Sequence, residues 1–398
     1  MRRTSLLIAL LAVATAASAQ EAHLPPAAPS ASESPNFTSI PTLLGKDRRP
    51  IDLASALQLA GVQNPEILLA RERIVEAAAL RQLAAAQFLP TLNAGSNLDH
   101  HDGVLQQSTG TMLKVNRDSL YVGLGASAIS AGTVTIPGVV WNGNVSAVIY
   151  GNLASKQIVR QREFASQAVQ NEVLLRVAAG YLELLRGEGR RAIALKNRSE
   201  ALEVARITAN YAKTGQGRQA DADRAATELE QRNNDVLDAE NDLAIASARL
   251  SELLSLNPVD GLQPVESAVV PSPVVPDPIP LPELVAIALV QRPELKERQA
   301  AIRAALLELQ GAKALPFAPN YIVGYSAGGF GGGSNLAAEA TPSQPRFGPL
   351  MDRQDFDAVV YWSLRNLGVG NVALIRLARS NLRQDELRGV EVFDRVRS

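Results

Sequence analysis

The feature that most constrains this chain is an internal repeat, in which one segment recurs after a shift of 228 residues. The shift pairs Pro65-Glu66 with Pro293-Glu294, and each pair stands at the start of an apolar pattern with helical period. After one further residue of slippage, Phe88-Leu89-Pro90 aligns with Phe317-Ala318-Pro319, where both helical patterns end. Alanine-rich composition alone does not produce such landmarks, so the sequence predicts two tandem copies of one unit of helices and strands.

The repeat sets the domain boundaries. Residues 51–257 form the first repeat, residues 258–280 a proline-rich connector, and residues 281–398 the second repeat. Measured from Leu53 to Leu256 the first copy spans 204 residues, whereas the second spans 118. We therefore expect the second repeat to be incomplete, with the chain truncated at its C-terminal end before a helical hairpin is finished.

The N-terminal residues have the pattern of a secretory signal. Residues 1–19 combine two arginines, a short apolar run and the small residues Ala17-Ser18-Ala19, which predicts a cleaved signal peptide. Residues 20–50 are rich in proline and read as a flexible leader. The signal's apolar run is shorter than the ~20 residues of a membrane-spanning helix, and no later apolar run is long enough. If the chain spans a membrane, it must therefore do so with β-strands closed into a barrel.

A long helical hairpin is predicted inside the first repeat. Residues 152–214 read as one helical stretch, and a second helix runs from there to Leu256. This second helix carries a seven-residue register, which predicts that it packs on the first as a coiled-coil hairpin. The register positions are Ala222, Leu229, Val236, Leu243 and Leu250.

Two segments instead show a period of two, as strands with one apolar face do. They are residues 121–128 and residues 356–364. Their lengths suit tilted membrane-spanning strands, and Tyr361-Trp362 suits an interfacial aromatic girdle. The same pattern fits an amphipathic hairpin packed on a soluble core, so the strands alone leave both interpretations open.

Composition excludes several classes of function. With 39 basic and 40 acidic residues the formal net charge is -1, so the chain has no global basic field for binding nucleic acid. The absence of cysteine excludes disulfides, thiolate metal sites and cysteine nucleophiles. Only three histidines are present, and we assign no catalytic, cofactor-binding or metal-binding residues.

Two short motifs imitate chemical sites. Gly324-Tyr325-Ser326-Ala327-Gly328 matches the nucleophile elbow of serine hydrolases, but no histidine follows Ser326 and the next residues are glycine-rich. We expect an exposed glycine-rich loop there. Asp99-His100-His101-Asp102 contains metal-binding side chains, but neighbouring residues on a strand point to opposite faces, so we expect a polar loop.

The order of elements resembles the TolC-like outer-membrane efflux protein family of Gram-negative bacteria over nearly the whole mature chain. The stretches that carry the resemblance are Asn64-Pro65-Glu66, its partner Arg292-Pro293-Glu294, the turn at 211–215 and the junction at 362–370. The resemblance implies a mainly α fold with membrane β-strands. It implies a homotrimer with a shared twelve-strand β-barrel in the outer membrane and a long α-helical tunnel in the periplasm.

The resemblance also implies a function without catalysis or cofactors. The chain would be the passive export duct of a tripartite efflux or type I secretion system, surrounded by outer-membrane lipid. Its partners would be a periplasmic adaptor (membrane fusion) protein and an inner-membrane transporter. The periplasmic tip, where the family meets its adaptor, would contain Tyr211, Thr214, Gly215, Gln216, Gly217 and Arg218.

Two other functions remain as alternatives. The first is a secreted periplasmic coiled-coil scaffold or adaptor with a soluble β-domain, which would not need two copies of the unit. The second is a serine hydrolase built on Ser326. The exported substrate cannot be read from a passive duct.

Overall fold

The computed structural model describes residues 48–128, 132–266, 279–336, 346–347 and 349–397. The predicted signal peptide, the leader up to residue 47 and residues 267–278 of the connector lie outside these described residues. In chain order the strands are β1 (Arg49–Ile51), β2 (Thr91–Leu92), β3 (Ala94–Gln106), β4 (Met112–Ala126), β5 (Ile136–Pro137), β6 (Val139–Asn144), β7 (Leu262–Pro264), β8 (Asn320–Ser334), β9 (Arg346–Phe347) and β10 (Met351–Tyr361). The α-helices are α1 (Leu53–Gln63), α2 (Pro65–Ala86), α3 (Val145–Lys213), α4 (Gln219–Leu253), α5 (Leu281–Gln291), α6 (Pro293–Ala314) and α7 (Val369–Arg397).

The two halves of the chain begin with the same pair of helices. The bounds of α5 and α6 follow those of α1 and α2 at the 228-residue shift. Asn64 caps α2, because its side-chain oxygen accepts the backbone N–H of Glu66 at 2.9 Å, and Pro65 takes the first helical position. Arg292 holds the corresponding position before α6 but makes no side-chain capping hydrogen bond.

The main sheet is antiparallel and has β3, β4, β8 and β10 in that order, with β2 and β6 extending β3 and β4 at the helical end. Helices α2 and α6 lead into this sheet, and α3 and α7 leave it. These four helices pack side by side in the order α2, α3, α6, α7, which matches the order of the strands they join. The sheet thus continues directly into a helical layer.

Helix α3 is the longest element, with 69 residues that span about 104 Å at the usual rise. It begins seven residues before the predicted 152, because Asn144 caps it by accepting the N–H groups of Ser146 and Ala147. Helix α4 returns along the second half of α3 with Ala222, Val236, Leu243 and Leu250 buried, which confirms the predicted heptad face. Among the described residues, none of the helices combines the length and apolar character that crossing a membrane requires.

The main hydrophobic core lies halfway along α3, where α1, α2, α4 and a small second sheet converge. Tyr181, Leu184 and Leu250 are fully buried there. The small sheet pairs β1 with β7 in parallel, in the register Arg49 to Leu262. Sequence analysis placed part of β1 in the flexible leader and β7 in the connector. Three-residue strands containing proline show no alternation, so only their pairing in the folded chain reveals them.

Candidate functional site

One face of the main sheet is exposed and carries an apolar band in the half nearer the helices, while His100 and Asp352 lie on the same face farther from the helices. We call it the apolar face. Antiparallel partners point to the same side of a sheet and successive residues alternate, so the register assigns each residue to a face. On this apolar face Leu98 lies opposite Leu120, and Phe356 opposite Tyr325. Leu98 is 73% exposed and Phe356 68% exposed. The apolar band on this face consists of Leu98, Leu120, Val122, Leu124, Val139, Trp141, Tyr321, Val323, Tyr325, Phe356, Ala358 and Val360.

The opposite face carries the charged and polar side chains and is the better buried of the two. Arg353 Nε donates to Asp355 Oδ2 at 2.9 Å, and both side chains are 16% exposed. The Arg353 guanidinium also lies 4.9 Å from the centre of the Phe330 ring, within the range of a cation–π contact. Tyr121, which pairs with Phe330, is fully buried. A sheet with charge on its covered face and apolar residues on its exposed face is the inverse of a soluble sheet.

Both predicted period-two segments are strands, with different bounds. The segment at 121–128 belongs to β4, which starts at Met112 and ends at Ala126. The segment at 356–364 belongs to β10, which ends at Tyr361. Trp362 lies just beyond β10, where its indole N–H donates to the Phe317 carbonyl at 3.1 Å.

The junction between β10 and α7 turns through a short 3₁₀ segment, Arg365–Gly368. Asn366, Leu367 and Gly368 all have positive φ, and Leu367 is 98% exposed. The buried Asn371 side chain holds the turn, since its oxygen accepts the Arg365 N–H at 2.8 Å. The predicted strand-to-helix junction at 362–370 is confirmed by this arrangement.

The far end of the hairpin is a tight turn that contains all six predicted tip residues. The Tyr211 carbonyl accepts the N–H groups of Gln216 and Gly217, both at 3.0 Å. Gly215 has a φ of +75°, which glycine adopts without steric cost. The turn is exposed from Lys213 to Ala220, and the Thr214 hydroxyl donates to the Asn210 and Tyr211 carbonyls, so the end of the hairpin is an accessible, hydrogen-bonded turn.

Ion pairs on the hairpin surface flank this tip. Arg206 donates to Glu203 one turn earlier, and this hydrogen bond lowers the pKa of the Glu203 carboxyl. Arg232 lies between Glu228 and Asp235 on α4, with its Nη1 2.8 Å from Asp235 Oδ2. Arg232 interrupts the alanine positions of the heptad pattern, and these pairs on its own helix account for that residue.

The two motifs that imitate chemical sites lie in strands, not in loops as predicted. Ser326 is 2% exposed in the middle of β8, where its hydroxyl accepts the Gly138 N–H at 3.1 Å. A nucleophile elbow requires a turn from strand to helix, so this position does not suit one. His100 and His101 lie in β3 and point to opposite faces, and His100 Nδ1 pairs with Asp118 Oδ1 at 2.6 Å. Within the described parts of the chain, no group of three or more acidic or histidine side chains is placed to hold a metal ion.

No protein-family model and no curated protein sequence matches this chain. Several solved structures, however, match its fold. The outer-membrane channel OprN superimposes with a TM-score of 0.65 at 17% identity, covering 85% of this chain and 70% of OprN. The CmeC outer membrane channel of Campylobacter jejuni gives 0.66 at 15% identity, covering 85% and 67%. The outer membrane protein VceC of Vibrio cholerae gives 0.63 at 13% identity, covering 86% and 75%.

The fold is TolC-like. At these identities the likeness establishes the architecture, which the resemblance of the sequence had already indicated. The TolC-like fold accounts for the positions of the stretches that carried that resemblance. Asn64-Pro65-Glu66 and Arg292-Pro293-Glu294 start the two helices that lead into the sheet, and the turn at 211–215 ends the hairpin.

A further part of this TolC-like sheet, strand β6, has no counterpart among the predicted strands. The strand that begins as β4 resumes as β6, so the strand has an insertion in its middle. The run Val139-Val140-Trp141 was the only sign of the second half, and it is too short to show alternation.

Proposed function

We propose that this chain is the outer-membrane channel subunit of a tripartite efflux or type I secretion system in a Gram-negative bacterium. The observation that carries the proposal is the inverted sheet, whose exposed face carries a continuous apolar band and whose covered face is charged. Such a sheet suits lipid on one side and a water-filled lumen on the other. A soluble periplasmic scaffold would instead bury the apolar face, so this observation favours the channel over that alternative.

The edges of the sheet support assembly into a homotrimer. Among the described residues, neither β3 nor β10 has a strand partner on its outer side. Long unpaired edges favour association with another chain. Three copies, each pairing β3 with β10 of its neighbour, would close a barrel of twelve strands and remove every edge. The long helices would then form a tunnel in the periplasm, reached after export by the predicted signal peptide.

The mass of the particle tests this assembly. We expect detergent extraction of the outer-membrane fraction to yield a particle of three times the subunit mass. A soluble monomer in the periplasmic fraction would contradict the proposal and restore the scaffold alternative.

The exposed turn supports a second element of the proposal, contact with a periplasmic adaptor that joins the duct to an inner-membrane transporter. A photo-crosslinking amino acid at Gln216 should capture the adaptor in cells that export through this channel. The matched control is Lys196, which is exposed on α3 about 25 Å from the turn. If export continues and Gln216 captures no periplasmic protein, the tip is not the docking site.

A further inference from the structure

The second strand of the sheet contains an insertion whose length follows from the register. Leu124 at the end of β4 lies opposite Ala327, and Val139 at the start of β6 lies opposite Tyr325. A continuous strand would need one residue between them, opposite Ser326. On the other edge Leu124 pairs with Ala94 and Val139 with Leu92, which leaves the same single place. Gly138 can fill that place, so residues 125–137 are an insertion of thirteen residues into an otherwise regular strand.

The described parts of this insertion, residues 125–128 and 132–137, lie over the charged face of the sheet. Strand β5 belongs to the insertion and pairs with the end of β4. Ala128, also in the insertion, makes two hydrogen bonds with the side chain of Asn97, a residue of the charged face. Ala128 and Val134 are buried together with Tyr121. We call residues 132–138 the inner segment.

Arg353 ties the inner segment to the far side of the sheet. One guanidinium nitrogen donates to the Gly132 carbonyl, and another donates to Asp355. Because Arg353 is on β10 and Gly132 follows β4, this contact crosses β8 entirely. The inner segment therefore covers the charged face from the second strand to the fourth.

Small residues on β8 make room for the inner segment. A Cβ at Gly324 would lie 2.8 Å from Pro137 of the inner segment. A Cβ at Gly328 would instead meet β4, at 2.6 Å from the Val122 carbonyl oxygen and 2.9 Å from the Tyr121 ring. Between them Ser326 accepts the Gly138 N–H. Gly324 and Ser326 therefore face the inner segment, and Gly328 faces the Tyr121 ring that is buried together with Val134. Tyr325 and Ala327 face the other way. The motif that imitates a nucleophile elbow is thus a packing surface for the insertion.

We propose that the inner segment narrows the barrel and limits the channel to solutes of small-molecule size, in preference to polypeptides. This inference rests on the proposed function, in which the charged face lines the lumen. A second backbone layer packs about 10 Å from a sheet. In a trimer, the inner segment of each copy would therefore reduce the radius of the lumen by about that distance where it covers the barrel wall. Thr133, Thr135 and Ile136 are exposed on the outside of the layer and would face the passing solute.

The absence of cysteine allows a direct test with single reporters. Ile322→Cys places a thiol on the lumen face between the inner segment and the helices, at a position that is 39% exposed. Gly332→Cys places the matched thiol on the same face beyond the inner segment, where a Cβ meets only ordinary contacts. Intact cells are treated with a small maleimide and with polyethylene-glycol maleimides of increasing mass.

We expect the small reagent to label both positions, and the large reagents to label Gly332→Cys only. Deleting residues 125–137, which joins Leu124 to Gly138 in register, should make Ile322→Cys accessible to the large reagents. Equal labelling of both positions by every reagent in the undeleted chain would overturn the inference. So would continued exclusion in a deletion variant that assembles.

A second variant covers the case in which the deletion does not fold. Arg353→Gln releases the inner segment from β10 and should admit larger reagents to Ile322→Cys. Asp352→Asn, one residue earlier on the opposite face, is the control and should leave the size limit unchanged. If Arg353→Gln and Asp352→Asn exclude the same sizes of reagent from Ile322→Cys, Arg353 does not hold the inner segment in a position that restricts the lumen.

Failure of the proposed function is a separate outcome. Each variant is first recovered from the outer-membrane fraction and its mass measured. Absence of a threefold particle would overturn the proposed channel and this inference with it. A threefold particle in which Ile322→Cys reacts with every reagent would overturn the inference alone.

Discussion

Asn64 connects three elements through one side chain. Its oxygen caps α2, and its nitrogen donates to the Leu253 carbonyl at the end of α4, at 2.9 Å. The residue is 4% exposed, so water cannot replace either bond at low cost. The repeat does not reproduce this arrangement, since Arg292 is exposed and lacks a capping bond.

We predict that Asn64→Ala lowers the free energy of unfolding by about 1–3 kcal/mol, because it removes a cap and leaves the partly buried Leu253 carbonyl without this donor. Arg292→Ala at the corresponding position should change stability little. Thermal unfolding of the purified protein, followed by helical circular dichroism, measures both. Equal effects of the two substitutions would contradict the asymmetry between the halves.

At the scale of elements, the hairpin depends on close approach of α3 and α4. A Cβ at Gly187 would lie 3.3 Å from Leu243 Cδ1 and 3.5 Å from Leu243 Cα. Gly189, two residues later, has nothing within 4 Å. The two glycines therefore differ in packing although they share one helix.

We predict opposite effects for leucine at these two positions. Gly187→Leu should push the helices apart and cost about 1–3 kcal/mol through overpacking. Gly189→Leu should raise stability by up to about 1 kcal/mol, since leucine favours the helix and meets no neighbour. Chemical denaturation of the two variants beside the parent checks the signs. A destabilised Gly189→Leu would show that α3 has a further packing partner on that side.

The elements that could be predicted from sequence are those with a local pattern. The heptad on α4 and the helix start at Pro65-Glu66 could be predicted because periodicity and helix-start signals involve neighbouring residues. The pairing of β1 with β7 joins residues far apart in the chain, and the inner segment depends on the register of three strands. Neither leaves a periodic trace, so neither could be predicted. The glycine-rich motif around Ser326 predicts an exposed loop, but it lies in β8. Its Gly324 makes room for Pro137, which is distant in sequence, and a local pattern does not show such a contact.

For the whole molecule, the decisive property is which face of the sheet meets lipid. Phe356 lies at the middle of β10 on the apolar face, and Val359 lies on the opposite face and is 48% exposed. Sequence alternation predicts one apolar face for each of two segments, 121–128 and 356–364. Only the register across four strands shows that these faces form one continuous exposed band.

We predict that Phe356→Lys reduces the assembled protein in the outer membrane, because a lysine near the bilayer midplane costs about 2–4 kcal/mol. Val359→Lys introduces the same side chain on the lumen face and should be tolerated. The measurement is the amount of threefold particle recovered from the outer-membrane fraction. Loss of assembly in Val359→Lys with normal Phe356→Lys would reverse the assignment of the faces.

Within the described strands, the insertion occurs in the first half of the chain only. Strand β10 holds the place in the second half that β4 and β6 hold in the first, and it runs without interruption from Met351 to Tyr361. A barrel built from three such chains would have six similar strand pairs, three with an insertion and three without. Its wall would have threefold rather than sixfold symmetry, and a solute in it would meet alternating thick and thin sectors around the axis.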